Sequence, residues 1–309
     1  MQVIEREAKQ LRPYQGVVLF VIVVVALIFV AAPIQRLWGM YGVALTEVIL
    51  LLLGVIPALL LKTDLRQVFP FSKPTFRQLG GTFIFWLGSY IAVLLITIII
   101  TFLFPESLLK VSGGLQNTIT SVPMGIAFFI TAVMPAICEE VLHRGFILNS
   151  FAVVKNKWVT IFWMGIIFGI FHLDLVRFLP TAVLGMALTY LMLETQNLIY
   201  PIFLHFINNA LSTFISFFSK SSGALETNMN MSEIFTLQVV AAYLVIGSVT
   251  PLLILLGASL VKPKVEISSE EERLLERKRK NTKILIAVSV AAAMFFSGTV
   301  IILISQWLG

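Results

Sequence analysis

Long apolar runs alternate with short polar breaks along the whole chain. Those able to cross a hydrocarbon layer about 30 Å thick occupy residues 16–34, 41–61, 81–104, 123–148, 158–174, 178–194, 198–218, 235–260 and 284–307. At that depth no water satisfies backbone groups, so each run must close its hydrogen bonds within itself as a helix. The expected fold is all-α, a polytopic membrane helix bundle with about nine transmembrane helices. The fourth run is the one broken by charge.

Composition agrees: 58% of the 309 residues are hydrophobic and 12% charged, against about a quarter charged in a soluble domain. With a cytosolic N-terminus, the inner segments hold Arg6, Lys9 and Arg12, then Lys62, Arg66, Lys73 and Arg77, then Lys155 and Lys157, and eight basic residues between Lys262 and Lys283. The outer loops hold one each, Arg36, Lys110, Arg177 and Lys220. This asymmetry follows the rule that short inner loops are the basic ones. It accounts for most of the net charge of +6, so no nucleic-acid partner is called for. The first run lacks a small-residue cleavage site and reads as an uncleaved anchor. The short loops and the lack of an organellar address point to a bacterial plasma membrane.

Three parts are expected: residues 1–122 with spans one to three, a core at 123–218 that holds the buried charges, and 219–309 with the last spans and a charged cytosolic linker at 261–283. In that linker, acids and bases stand at helical spacing, as Glu276 and Lys280 do, which suits a solvated helix; contact with anionic lipid headgroups is the alternative. No internal repeat is visible. The single cysteine, Cys138, excludes a disulfide framework and a cysteine metal cluster, and a lone buried thiol reads as a small inert hydrophobe.

Ionisable groups at membrane depth are costly, and by default they mark a site. Span four carries Glu139 and Glu140. Arg144 is four residues after Glu140, the favourable order for a helical ion pair, while Glu139 shares a face with Pro135 and His143. Pro135 is expected to kink the span and open a cavity. Span five carries Phe168 and His172 at i and i+4, and span seven His205 and Asn209 at the same spacing. Measured from the short turn at Asn156, Glu139 and His172 reach one depth, whereas His205 is only nine residues from its loop and comes out shallower. A tilt or a deeper loop at 195–199 is needed to bring it level. Glu47 and Glu194 read as interfacial acids, and the phenylalanines, Phe214, Phe217 and Phe218 among them, as lipid-facing or packing residues.

A buried carboxylate beside imidazoles can polarise water and move its proton. Two histidines and one carboxylate are also a recurring zinc set, and an asparagine amide or a histidine can instead donate to an oxyanion. These roles stay open on the residues alone. Other intramembrane peptidase marks are missing: there is no HExxH, the two aspartates, Asp64 and Asp174, fall near span ends, and no GxSxG occurs.

At these residues the chain resembles the CPBP family of intramembrane metalloproteases, which includes CAAX prenyl endopeptidases and bacterial bacteriocin-processing and immunity proteins. The family's EExxxR matches Glu139, Glu140 and Arg144, its FxxxH matches Phe168 and His172, and its HxxxN matches His205 and Asn209. The resemblance implies an endopeptidase in which Glu139 and His172 activate water and His205 and Asn209 stabilise the oxyanion or help hold a metal. Glu140 would then be a supporting acid paired with Arg144. A divalent metal, zinc by donor chemistry, would be held by Glu139, His172 and His205. The substrates would be hydrophobic peptides or membrane-protein tails. His143 departs from the family, which usually has an aromatic residue there; a substitute for that aromatic is the simpler reading and an extra ligand the other. Two alternatives remain: a non-catalytic scaffold or immunity protein of the same fold, against which retention of all four motif residues argues, and a proton-coupled transporter, for which the repeated broken helices are missing.

Overall fold

A computed structural model describes residues 9–221, 235–263 and 269–308. Arg6 and Lys264, counted above among the inner basic residues, lie outside the described residues. Every regular element among the described residues is helical, as expected, and seven helices are long and apolar enough to cross a membrane. The protein is a multi-pass membrane protein.

The longest of these, Pro13–Leu60, holds two expected spans. α1 (Pro13–Ala26) passes through a π-helical turn (Leu27–Ala31) into α2 (Ala32–Leu60), and α2 breaks at Gly39, with φ 54° and ψ −128°. The chain reverses there. Gln35 Nε2 donates to Thr46 Oγ1 at 3.0 Å, although a straight helix would separate residues eleven apart by about 16 Å. Glycine supplies the positive φ at no steric cost.

After α3 (Leu65–Val68) and α4 (Phe76–Leu103), the expected loop folds as a separate helix, α5 (Pro105–Ile119). Span four is a composite: α6 (Met124–Phe128), a π-helical turn at Phe129–Val133, α7 (Met134–Glu140), a second π-helical stretch at Val141–Ile147, and α8 (Leu148–Ser150). Beyond it come α9 (Lys157–Phe171), α10 (Phe178–Thr195) and α11 (Ile199–Ser221). The chain ends with α12 (Leu237–Gly247), α13 (Thr250–Val261) and α14 (Glu270–Leu308).

Three expected elements change shape. The run at 158–174 stops at Phe171, with His172 capping the helix and Leu173 at φ 50°; at about 1.5 Å per residue, α9 is about 22 Å long and falls short of the layer. The run at 235–260 is two helices, because Pro251 in the first turn of α13 has no N–H to continue the ladder. The charged linker is one helix with the last span from Glu270 onward. Its Glu276 and Lys280 are exposed and form no ion pair among the described residues.

In lipid, helix association rests on close packing, and small residues let backbones approach. A Cβ on Gly54 of α2 would stand 3.1 Å from Leu142 Cα of span four, and one on Gly165 of α9 2.7 Å from the Ala182 carbonyl of α10. Gly88 of α4 meets Ile254 of α13 at 3.0 Å in the same way, and Arg77 closes the end of α13 by donating to the carbonyls of Lys262 and Ser259 at 2.8 and 2.9 Å. At one end of the bundle, the segment after α3 grips the loop before α11. Leu198 N donates to Pro70 O at 2.9 Å, Asn197 Nδ2 to Ser72 O at 2.9 Å, and Thr75 N to Tyr200 Oη at 3.0 Å. Leu198 is buried in one cluster with Leu142, Phe146 and Ile147. The loop is therefore sunk into the bundle, and α11 starts deep enough to bring His205 level with the acids.

Gly54→Val should push α2 away from Leu142 and cost about 1–3 kcal/mol of stability by overpacking. The measurement is the melting temperature in detergent; an unchanged value would mean that α2 can slide.

Candidate active site

Adjacent positions on a helix point about 100° apart, so Glu139 and Glu140 serve different neighbours. Around them span four winds as π-helix on both sides, a feature that concentrates at functional sites. This widened winding, immediately before Pro135 in the first turn of α7, takes the place of the expected sharp kink.

Glu140 is the fixed member. Its Oε1 accepts from Arg144 Nη1 at 2.8 Å and stands 2.9 Å from His205 Nδ1. Arg144 Nη2 donates to the Gly185 carbonyl of α10 at 2.9 Å, and its guanidinium carbon lies 4.5 Å from the centre of the Phe168 ring. Arg144 and Glu140 have no exposed side-chain surface. An ion pair so placed is sustained by its added hydrogen bonds and is strongly destabilising when one partner is lost. Because His205 Nδ1 faces a carboxylate, it is the donor, and Nε2 is turned to the far side of the ring.

On that far side is Glu139. Its side chain is 8% exposed, and its Oε2 is 3.9 Å from His205 Nε2 and makes no hydrogen bond among the described residues. Phe168 of α9 forms the platform beneath: His172 packs edge-on against it at 4.9 Å between centroids, His205 at 5.9 Å and His143 at 5.2 Å. Gly185 has room for no Cβ under this ring, which would meet Phe168 Cβ at 2.7 Å. His172 donates from Nδ1 to the Phe168 carbonyl at 2.9 Å and is half-buried.

The structure thus brings Glu139, Glu140, Arg144, Phe168 and His205 into one constellation, and His172 joins it through the Phe168 ring. Asn209, one turn beyond His205, is half-buried; its Oδ1 accepts from Asn208 Nδ2 at 3.3 Å, and among the described residues no hydrogen bond links it to the acids or to His172. His143 fills the aromatic role: it is fully buried, edge-on to Phe168 and to Phe171 at 4.7 Å, with Nδ1 on the Glu139 carbonyl at 2.9 Å. No group of three or more His, Cys, Asp or Glu among the described residues is gathered closely enough to hold a metal ion.

Glu47 is a correction. Rather than interfacial, it is 5% exposed, with Oε2 lacking a partner among the described residues, on the α2 face that packs against α7. Hydropathy shows that a residue enters the layer but not which face it takes. Glu194, at the end of α10, pairs with Lys157 at 2.6 Å, and Cys138 is buried. The Gly185 carbonyl that holds Arg144 left no side-chain signal in the sequence.

Residues 120–211 match the family model described as type II CAAX prenyl endopeptidase Rce1-like. Over these residues the chain is similar to the CAAX protease family. All three motifs, from Glu139 to Asn209, fall within the match, and the CAAX protease description is that of a peptidase acting within a membrane. No curated protein and no solved structure matches the chain.

Arg144→Ala should strand Glu140 without its cation and cost about 3–5 kcal/mol, read as a lower melting temperature and lower yield from membranes. His143→Phe keeps both edge-on ring contacts and removes a buried Nε2 that has no partner among the described residues, so its melting temperature should be equal or higher. A marked fall would give His143 a polar role.

Proposed function

We propose that the protein is an intramembrane endopeptidase that hydrolyses apolar peptides or membrane-protein tails with a water molecule activated by Glu139. The observation that carries this reading is the buried Glu139 Oε2, without a hydrogen-bond partner among the described residues and 3.9 Å from His205 Nε2. One oxygen atom at about 2.8 Å from each touches both. The rest of the constellation holds this pair in place: Glu140 turns His205, Arg144 neutralises Glu140, and Phe168 supports the rings.

The steps follow from those positions. Glu139 takes a proton from water as its oxygen attacks the peptide carbonyl carbon, and the carbonyl electron pair moves onto oxygen. Asn209, through its amide N–H, serves as a donor to that oxyanion, and His172, whose Nδ1–H is held by the Phe168 carbonyl, adds a second donor at Nε2 when its ring is protonated. The carbon–nitrogen bond then breaks, and Glu139 returns the proton to the departing amine. A metal ion, where bound, would supply Lewis acidity, and Glu139, His172 and His205 are the side chains that would hold it. The basic inner segments support placing the N-terminus in the cytosol of a bacterial cell.

Wild type and Glu139→Gln, purified in detergent, should differ by at least about a hundredfold in turnover of apolar fluorogenic peptides, with equal melting temperatures. Equal turnover would remove Glu139 from the mechanism, and folded wild type without cleavage would favour the scaffold alternative. Chelator added to wild type divides the chemistry further. Surviving activity assigns it to side chains, while activity lost and restored by zinc assigns it to a bound ion that Glu139, His172 and His205 would hold.

A further inference from the structure

The polar residues of α11 continue past the motif. At 3.6 residues per turn, His205, Asn208, Asn209, Ser212, Thr213 and Ser216 fall within an arc of about 140°, and Ile207, Leu211, Phe214 and Phe218 lie outside it. Thr213 is buried and shares a 2.7 Å hydrogen bond with Thr131 of span four, whereas Asn208, Asn209 and Ser216 are half-buried and Ser212 is exposed. Serine hydroxyls can satisfy themselves on the carbonyl four residues back, and Ser212 and Ser216 do so at 3.0 and 2.9 Å. The amides cannot. Asn208 and Asn209 share one 3.3 Å bond, and Asn209 Nδ2 donates to nothing among the described residues. Polar side chains left open at membrane depth belong against a water-filled groove or a polar partner, because lipid offers them nothing.

The stripe has a direction. Toward the start of α11, Leu204, Tyr200 and Leu198 are buried and seal the site from below. Toward the other end, the stripe reaches α5, where Gln116 Nε2 donates to the Ser216 carbonyl at 3.0 Å and Lys220 Nζ to Thr120 Oγ1 at 2.9 Å. From His205 to Ser216 is about 16 Å of helix, the span of about five residues of extended peptide at about 3.3 Å each.

From this placement, and resting on the peptidase reading, we infer that the α11 stripe is the subsite for the substrate backbone, binding an extended peptide that enters from the α5 end and ends at Glu139 and His205. An unfolded segment brings unpaired N–H and C=O groups into the layer, and the asparagine amides and serine hydroxyls are partners for them.

The test uses the full chain in phosphatidylcholine nanodiscs and a charged, membrane-impermeant maleimide, with wild type as the blank because its one cysteine, Cys138, is buried. Ser212→Cys and Ser216→Cys should label at least tenfold faster than Phe214→Cys and Phe218→Cys, whose parent side chains are 54% and 65% exposed on the apolar face. Equal rates would place the stripe against lipid and overturn the inference. In a Glu139→Gln background, which leaves peptide uncut, a leucine–alanine hexapeptide should slow labelling of Ser212→Cys several-fold. No slowing at saturating peptide would mean that the groove carries water alone, overturning the subsite. Labelling needs no turnover, so a peptide-protected groove in a protein that cleaves nothing would overturn the peptidase reading and leave the subsite standing, while cleavage with a dry stripe would do the reverse.

Discussion

The ion pair between Glu140 and Arg144 is the constraint on which the rest of the centre depends. A carboxylate and a guanidinium with no exposed surface inside a membrane bundle are tolerated when every strong contact they need is present, and each such contact here fixes another part of the site. The His205 ring is set by Glu140, α10 is tied to span four through the Gly185 carbonyl, and Phe168 is held under the guanidinium. One pair therefore registers four helical elements at a single depth. Glu139 is left as the carboxylate with freedom to act, next to a histidine that has already been turned toward it.

Close approach makes that registration possible. Gly54, Gly165 and Gly185 sit where a side chain would collide with a neighbouring helix or with Phe168, and without them the ring platform and the acids would stand apart. The loop before α11 contributes in a different way. Its hydrogen bonds to the segment after α3 bury Asn197 and seat Leu198 in the apolar cluster, so that His205, though few residues from its loop, lies level with Glu139. The same burial closes the site at the start of α11.

Much of this could be read along the chain, since the membrane leaves few choices for backbone. Apolar run lengths gave the helical bundle, and charges at i and i+4 gave the Glu140–Arg144 pair, because that spacing is fixed by the helix itself. The i and i+4 motifs also named Phe168, His172, His205 and Asn209. Contacts between elements left no such trace. The reversal at Gly39 needed a backbone angle, and the stop of α9 at Phe171 needed to be seen against α10. The burial of Glu47 depended on which α2 face meets α7. His143 was readable as a residue out of pattern, yet its aromatic role came from Phe168 and Phe171 on another helix.

The division has one physical cause. Hydropathy and helical spacing are local, and the bilayer enforces them strongly, so the sequence by itself determined an all-helical membrane protein with its acids, arginine and histidines on named spans. Depth, facing and closeness depend on how helices pack, which lipid does not dictate. Tertiary structure alone decided that Arg144 reaches Gly185, that three imidazoles gather on Phe168, and that Tyr200 and Leu204 close one end of the site.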